Sequence, residues 1–287
     1  MTVPMPADLA LDTAVTPVPD SPGHYTTNLP DAWSWNLPSG GVLMTVALRA
    51  IEATIADATF RPVSATTIFC SPVPAGPLDI RVEVLRRGNA AVQARASLRA
   101  QASAETDLEV SATFARERPG FDLLDTAPPR VPAPEEAPSI VEPRRSVAGR
   151  SEYPFLDNFD SRLALGHIWW KPGWPAGSAR YARWMRYKTP QRLADGTLDP
   201  FAIPPIADLM PPALRQKLGP EGPHFHAPSL DLTVHFLDPT TSDWHLVSVW
   251  ARRARAGYAT AEAEVWGADG RLTAYATQTM ILRKPTR

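Results

Sequence analysis

The feature that most constrains the fold is a repeat within the chain. The heptapeptide LMTVALR at 43–49 returns as LMPPALR at 209–215, which lies 166 residues further along. An F-x-x-P motif at 69–72 returns at 236–239, an offset of 167 residues. Because both pairs occur in the same order at nearly the same offset, the sequence predicts a duplicated unit. Each copy takes up a little under half of the 287 residues, which is enough to bury a core of its own.

A proline-rich stretch separates the two copies. Seven prolines lie between positions 119 and 143, where apolar periodicity is weak. Proline is excluded from central strands and favours extended chain, so this stretch is predicted to be a linker. We place the linker at 118–150, between an N-terminal unit at 1–117 and a C-terminal unit at 151–287.

Each copy combines one apolar helix with several strands. Apolar residues recur at helical spacing after Ser39, which predicts a helix at 41–56, and the repeat predicts a second helix at 206–218. Period-two alternation or apolar runs predict strands at 229–236, 244–252, 257–266 and 272–283, with the GADG sequence at 267–270 as a hairpin turn. This order predicts an α+β fold in which each antiparallel sheet wraps around one helix.

Composition excludes several classes of protein. The net charge of −1 is unlike that of a general nucleic-acid binder, and a single cysteine excludes an intramolecular disulfide framework. No apolar run approaches the roughly 18 residues of a membrane span, and the first residues lack a basic, apolar leader pattern. We therefore expect a cytoplasmic protein without nucleic-acid or membrane partners. His224 and His226 have no further ligands at a recognised spacing, so we expect no metal site.

Several motifs carry a resemblance to a known family. They are the glycine pair Gly40-Gly41 before the first helix, SLDLTVHF at 229–236 with Pro239 and Trp244 after it, and LTAYATQTMILR at 272–283. On these motifs the chain resembles the TesB-type double-hotdog acyl-CoA thioesterases. The resemblance implies a tandem hotdog whose two sheets join edge to edge, with the active site between the halves. It also implies an acyl-CoA substrate, no cofactor, and a role in lipid metabolism.

Two polar residues of the second copy are candidates for catalysis. Gln278 lies among apolar residues on one face of its strand, where an unpaired amide costs on the order of 1–3 kcal/mol. Asp231 lies on the polar side of its strand. From the residues alone, a structural glutamine and a solvated aspartate remain open. The resemblance implies that Asp231 activates a water molecule and that Gln278 holds it.

Asp231 and Gln278 occur in only one of the two copies. An offset of 167 residues leads from Asp231 back to Ser64 and from Gln278 back to Ser111, so neither has a counterpart in the first copy. A residue needed only for packing could be expected in both copies. The asymmetry therefore favours a functional role.

The glycine pair shows the opposite asymmetry. With the helix offset, Gly40 and Gly41 correspond to Ile206 and Ala207. Backbone N–H groups at a helix N-terminus can stabilise an oxyanion, and glycine lets a ligand approach them. We therefore predict one composite site, with the N–H groups of Gly40, Gly41 and Val42 from the first copy and polar side chains from the second.

One expected residue is missing from this pattern. The resembling enzymes join the acid and the amide through a hydroxyl residue on the intervening strand. Counting forward from Trp244 places that hydroxyl position at Arg252, and counting back from Gly257 places it at Trp250. Neither residue has a hydroxyl group, and Ser248 matches neither count. A binding or regulatory protein that retains acyl-CoA without turnover is therefore the alternative function.

A basic cluster lies on the same strand. Arg252, Arg253 and Arg255 could contact the phosphates of coenzyme A, because guanidinium groups bind phosphate in a bidentate manner. A solvated strand edge is the alternative. The sequence leaves acyl-chain length open, as well as the choice between a monomer and a homo-oligomer.

Overall fold

The observed helices and strands follow the order that the repeat predicts. The computed structural model describes residues 7–140, 146–147, 150–151 and 153–284. The helices are α1 (Leu9–Asp12), α2 (Gly40–Ile55), α3 (Pro154–Asp157), α4 (Ile203–Ala207) and α5 (Pro211–Leu218), with short 3-10 helices at Asp31–Trp33 and Pro200–Ala202. The strands are β1 (Thr16–Pro17), β2 (His24–Leu29), β3 (Arg61–Phe69), β4 (Gly76–Arg87), β5 (Ala91–Ala100), β6 (Leu108–Ala115), β7 (Ser146–Val147), β8 (Arg150–Ser151), β9 (Phe159–Leu165), β10 (Arg180–Tyr187), β11 (Ser229–Phe236), β12 (His245–Arg255), β13 (Tyr258–Gly267) and β14 (Leu272–Ile281).

Helix α2 is the centre of the first unit. Its residues are buried almost all round, because β4, β5 and β6 cover one side and α4 covers another. The helix ends where Ala56 takes a left-handed conformation with φ of 52°. The predicted helix at 41–56 is thus confirmed to within one residue at each end.

The two units share one antiparallel sheet. Its 12 strands run in the order β1-β2-β4-β5-β6-β3-β11-β14-β13-β12-β10-β9, so β3 and β11 join the halves. Thr66 of β3 pairs with Thr233 of β11, and their hydroxyl groups share a hydrogen bond of 3.0 Å. These threonines are the same position in the two copies, 167 residues apart. The sheet therefore has a pseudo-two-fold axis that passes between them.

Strand register refines the equivalence of the two copies. Ala65 pairs with Ala112, and Leu232, its equivalent in the second copy, pairs with Gln278. The structural counterpart of Gln278 is therefore Ala112, and the prediction of Ser111 is wrong by one residue. The asymmetry itself remains, because alanine cannot replace an amide.

The predicted second helix at 206–218 is wrong as a single element. Leu209 and Met210 lie between α4 and α5, so only the later part of the repeated heptapeptide is helical. Prolines occupy the first turns of both helices, where a missing N–H is tolerated, whereas within a continuous helix they would break it. Helix α4 packs against α2, and α5 packs against β10 and β12.

The proline-rich segment follows the outer edge of the second unit. The Ile140 N–H donates to the Ser161 carbonyl, and the Leu163 N–H donates to the Pro138 carbonyl, both at 2.9 Å. Residues 118–132 contain no regular secondary structure, whereas part of the predicted linker at 141–145 and 148–149 lies outside the described residues. The division into units at 118–150 remains a prediction.

A buried histidine at the start of β12 predicts sensitivity to acid. His245 is 2% exposed, and its Nδ1 atom has no hydrogen-bond partner among the described residues. Burial is the largest influence and, with Arg192 nearby, lowers the pKa of His245 from 6.5 to about 4. The folded state therefore disfavours protonation, so stability is full above about pH 6.5 and is lost as the pH falls towards 4. The loss should reach on the order of 3 kcal/mol.

Urea unfolding at pH 7.5 and pH 4.5 tests this prediction. The free energy of unfolding should fall less between the two pH values in His245→Leu than in the parent, because leucine does not titrate. Equal losses in the two proteins would show that other groups cause the acid sensitivity.

Candidate active site

A single aspartate, Asp208, lies where α4, the start of α2 and the strands of the second unit meet. Its Oδ2 atom accepts hydrogen bonds from the Gly41 N–H at 3.0 Å and from the Ser39 hydroxyl at 3.2 Å. Its Oδ1 atom accepts from Gln278 Nε2 at 2.5 Å and lies 3.5 Å from Ser229 Oγ. Asp208 therefore connects the helix N-terminus of the first copy with polar side chains of the second copy.

The surroundings of Asp208 make its carboxylate more basic than usual. Burial has the largest influence and raises the pKa of Asp208 above its ordinary value. The four hydrogen-bond donors act in the opposite direction without reversing the shift. A carboxylate with a raised pKa is a better proton acceptor, which suits a general base.

Gln278 and Ser229 form the polar side of the site. Gln278 is 1% exposed and donates through Nε2 to Ser229 Oγ at 2.7 Å as well as to Asp208. Its Oε1 atom is buried and has no hydrogen-bond partner in the described part of the chain. This oxygen is therefore free to accept a hydrogen bond from a bound molecule.

A shift of register in β11 accounts for the position of Ser229. Ser229 pairs with Met280 and Asp231 pairs with Thr279, so the pairing slips between them. Such a bulge re-aims the side chains next to it. Without the bulge, residues 229 and 231 would face the same side of the sheet.

The glycine pair has a packing role as well as the predicted one. A Cβ atom on Gly41 would lie 2.2 Å from the carbonyl oxygen of Pro204, so only glycine allows α4 to approach α2. A Cβ atom on Gly40 would lie 2.5 Å from the Phe69 ring and 3.1 Å from Asp208 Oδ2.

The predicted oxyanion donors differ in availability. The Gly41 N–H is occupied by Asp208, and the Val42 N–H donates to the Ser39 carbonyl at 3.0 Å. The N–H of Gly40 has no acceptor among the described residues, and Gly40 is partly exposed. Gly40 is therefore the donor that remains available to a substrate.

Asp231 lies close in sequence to these residues but in a different environment. The Asp231 carboxylate accepts a hydrogen bond from the Thr279 backbone N–H at 2.9 Å. In the sheet, Asp231 pairs with Ile68, which is 55% exposed. The amide of Gln278 is bonded to Asp208 and Ser229. The structure therefore does not join Asp231 to Gln278, and its catalytic role remains a prediction from sequence.

A hydroxyl group does lie beside Gln278, but it belongs to Ser229 on β11 and not to the intervening strand. Arg252 and Trp250, the two residues considered for this position in the sequence, contact each other instead. The Arg252 guanidinium lies 3.3 Å from the centroid of the Trp250 ring and also forms an ion pair with Glu262. Ser229 stands first in the SLDLTVHF motif, but its role depends on a bulge that periodicity does not reveal.

Sequence reasoning also missed Asp208. The residue is the only charged one in the stretch 202–214, and it immediately precedes the repeated LMPPALR sequence. It lies 167 residues after Gly41, its bonding partner across the axis, and with the helix offset of 166 residues its equivalent in the first copy is Val42. An acid in an otherwise apolar stretch beside the repeat was the available signal.

The three arginines of the predicted cluster differ in whether they have an acidic partner. Arg252 is engaged as described, whereas Arg253 and Arg255 are exposed and have no acidic partner among the described residues. Both lie in the last three residues of β12, next to the turn that leads to β13. They are the members of the predicted cluster that can contact a phosphate group.

Metal centres and membrane-spanning helices are both absent from the described ranges. No cluster of three or more His, Cys, Asp or Glu residues there could hold a metal ion. None of the helices in those ranges has the length and apolar character needed to span a bilayer.

Comparison with protein families identifies both halves of the chain. Residues 29–115 match the model of the acyl-CoA thioesterase N-terminal domain, and residues 127–282 match that of the acyl-CoA thioesterase C-terminal domain. No curated protein sequence matches the chain significantly.

Solved structures match over nearly the whole chain. A conserved protein of unknown function with a hot dog fold from Alicyclobacillus acidocaldarius is 21% identical with a TM-score of 0.80, covering 97% of this chain and 98% of that one. An acyl-CoA thioesterase II from Mycobacterium marinum is 21% identical with a TM-score of 0.73 at the same coverage, 97% and 98%. A tesB protein from Mycobacterium avium subs paratuberculosis is 19% identical with a TM-score of 0.72, again covering 97% and 98%. These likenesses confirm the α+β double-hotdog fold.

Proposed function

Because the chain belongs to the acyl-CoA thioesterase family, we propose that it hydrolyses acyl-CoA thioesters to a free acid and coenzyme A at Asp208. The observation that carries this proposal is the buried carboxylate at the junction of the halves, bonded to Gln278 and to the Gly41 N–H. It combines a base, an unpaired amide oxygen and a helix N-terminus in one place.

The proposed reaction uses water as the nucleophile. Gln278 Oε1 and the Ser229 hydroxyl hold a water molecule beside Asp208, whose carboxylate takes one of its protons as the oxygen attacks the thioester carbon. The carbonyl oxygen gains negative charge and is stabilised by the Gly40 N–H and by the dipole of α2, a helix of 16 residues. The carbon–sulfur bond then breaks, and the proton on Asp208 passes to the leaving thiolate.

The coenzyme A phosphates are assigned to Arg253 and Arg255. Arg253 pairs with Thr260, and Thr260 pairs with Thr279, the residue after Gln278. Two strand spacings of about 4.8 Å thus separate the Arg253 backbone from the strand that carries Gln278. Because Thr279 and Gln278 face opposite sides of the sheet, Arg253 lies on the outer face, and the pantetheine arm has to pass the end of the sheet to connect the thioester with the phosphates.

The raised pKa of Asp208 predicts the pH dependence of turnover. The base acts only when it is deprotonated, so kcat should fall with decreasing pH at values above the ordinary carboxyl range near 3.9. The pH profile of kcat from 4 to 9 measures this midpoint. A constant kcat down to pH 4 would contradict the assignment of Asp208 as the base.

A panel of acyl-CoA thioesters tests the activity itself. Release of the free thiol should be detected for at least one chain length, and binding should be followed in parallel by calorimetry. Binding without thiol release across the panel would instead support the acyl-CoA-binding function.

A further inference from the structure

Like Gln278 Oε1, the Thr67 Oγ1 atom is buried without a hydrogen-bond partner among the described residues. The Thr67 side chain is fully buried on β3. Thr67 pairs with Leu232, and Leu232 pairs with Gln278, so the three form one row across β3, β11 and β14. Directly paired residues face the same side of a sheet, which places Thr67 and Gln278 on the same inner face about 10 Å apart.

The inner face of β3 connects the candidate active site with Thr67. Phe69 lies two residues further along β3 and therefore on the same side as Thr67. Its ring approaches Gly40, since a Cβ atom on Gly40 would lie 2.5 Å from it. Phe69 therefore lies between the Gly40 N–H at the start of α2 and Thr67 on the inner face of β3.

Packing does not account for the hydroxyl group of Thr67. The equivalent position in the second copy is Val234, which is also fully buried, so the fold accommodates a methyl group there. Valine and threonine have nearly the same shape, but a buried hydroxyl without a hydrogen-bond partner lowers the stability of the folded state. The first copy thus carries an unfavourable polar group where the second copy has an apolar one.

We propose that Thr67 selects acyl chains that carry an oxygen substituent, by hydrogen bonding a hydroxyl or keto group of the bound acyl moiety. This inference rests on the proposed function, because it assigns the chemical class of the acyl-CoA substrate. The substituent supplies the partner that Thr67 Oγ1 lacks in the free protein. An unsubstituted chain leaves the hydroxyl unpaired in the complex as well.

The test compares decanoyl-CoA with its monohydroxy and monoketo positional isomers. For at least one isomer, the parent should show a kcat/KM at least about 10-fold above that for decanoyl-CoA, and Thr67→Val should lose this preference. Thr66→Val is the matched control, since its hydroxyl lies on the outer face and bonds Thr233. This variant should keep the preference of the parent. Equal preferences in the parent and Thr67→Val for every isomer would overturn the inference.

Binding measurements separate this inference from the proposed function. If the parent hydrolyses neither these thioesters nor any member of the acyl-CoA panel, the proposed function fails, and calorimetric Kd values still show whether Thr67→Val loses an affinity for an oxygenated chain. Urea unfolding of Thr67→Val should show a stability equal to or above that of the parent, since the variant removes an unpaired hydroxyl. A variant with that stability and unchanged relative Kd values would overturn the inference even without turnover.

Discussion

Asp208→Asn is expected to lower kcat for acyl-CoA hydrolysis by roughly 10²–10⁴, because asparagine keeps the size of the side chain but cannot take a proton from water. The asparagine carbonyl can still accept a hydrogen bond from the Gly41 N–H, so the helix contact is retained. Acyl-CoA binding should therefore stay within a few-fold of the parent. Steady-state thiol release and calorimetry on the purified variant measure the two effects.

Asp231→Asn is the matched control for this experiment. The substitution makes the same chemical change about 20 residues away, on a carboxylate bonded to the Thr279 N–H. We expect a kcat close to that of the parent. The reverse order, with Asp231→Asn inactive and Asp208→Asn active, would support the role predicted from sequence and contradict the role proposed from the structure.

Gly41→Ala is expected to be the most disruptive single-methyl substitution at the site. The added Cβ would lie 2.2 Å from the Pro204 carbonyl oxygen and 2.7 Å from the Pro205 Cα, and both are backbone atoms of α4. The two helices must separate to relieve the overlap, which also weakens the Gly41 bond to Asp208. We expect a loss of about 3 kcal/mol in the free energy of unfolding and a large loss of kcat.

Gly120→Ala provides the control for a methyl group added to glycine. A Cβ atom at Gly120 would meet no atom within 4 Å. Its urea midpoint and kcat should match those of the parent. If Gly41→Ala were as stable and active as Gly120→Ala, the close contact between α2 and α4 would not be required.

Local patterns account for the parts of the fold that sequence predicted. Alternation over 229–236 marks β11 because one face of a half-buried strand is apolar, and the GADG turn at 267–270 lies between β13 and β14 as predicted. The offset of 167 residues relates Thr66 to Thr233, and the structure shows that these two equivalent residues meet at the axis.

Features that depend on contacts between the halves were not predictable in the same way. Asp208 becomes part of the site only because β3 pairs with β11 and brings Gly41 beside it. The bulge at the start of β11 places Ser229 beside Gln278, whereas the family resemblance had implied Asp231 at that place. Such register shifts are set by pairing across the sheet, so a single strand's pattern does not encode them.

A single-turnover reaction in water enriched in oxygen-18, with enzyme in excess over acyl-CoA, tests the central claim most directly. If Asp208 activates water, the free acid from the first turnover carries one oxygen-18 atom, and mass spectrometry detects no acylated protein. If the Asp208 carboxylate attacks the thioester itself, thiolate leaves and a mixed anhydride forms on the protein. Water that opens this anhydride at the Asp208 carbonyl yields unlabelled acid and leaves the label in the protein, whereas water that opens it at the acyl carbonyl yields labelled acid after an acylated protein that mass spectrometry detects. Unlabelled acid, or an acylated protein that accumulates before the acid appears, would contradict the proposed mechanism.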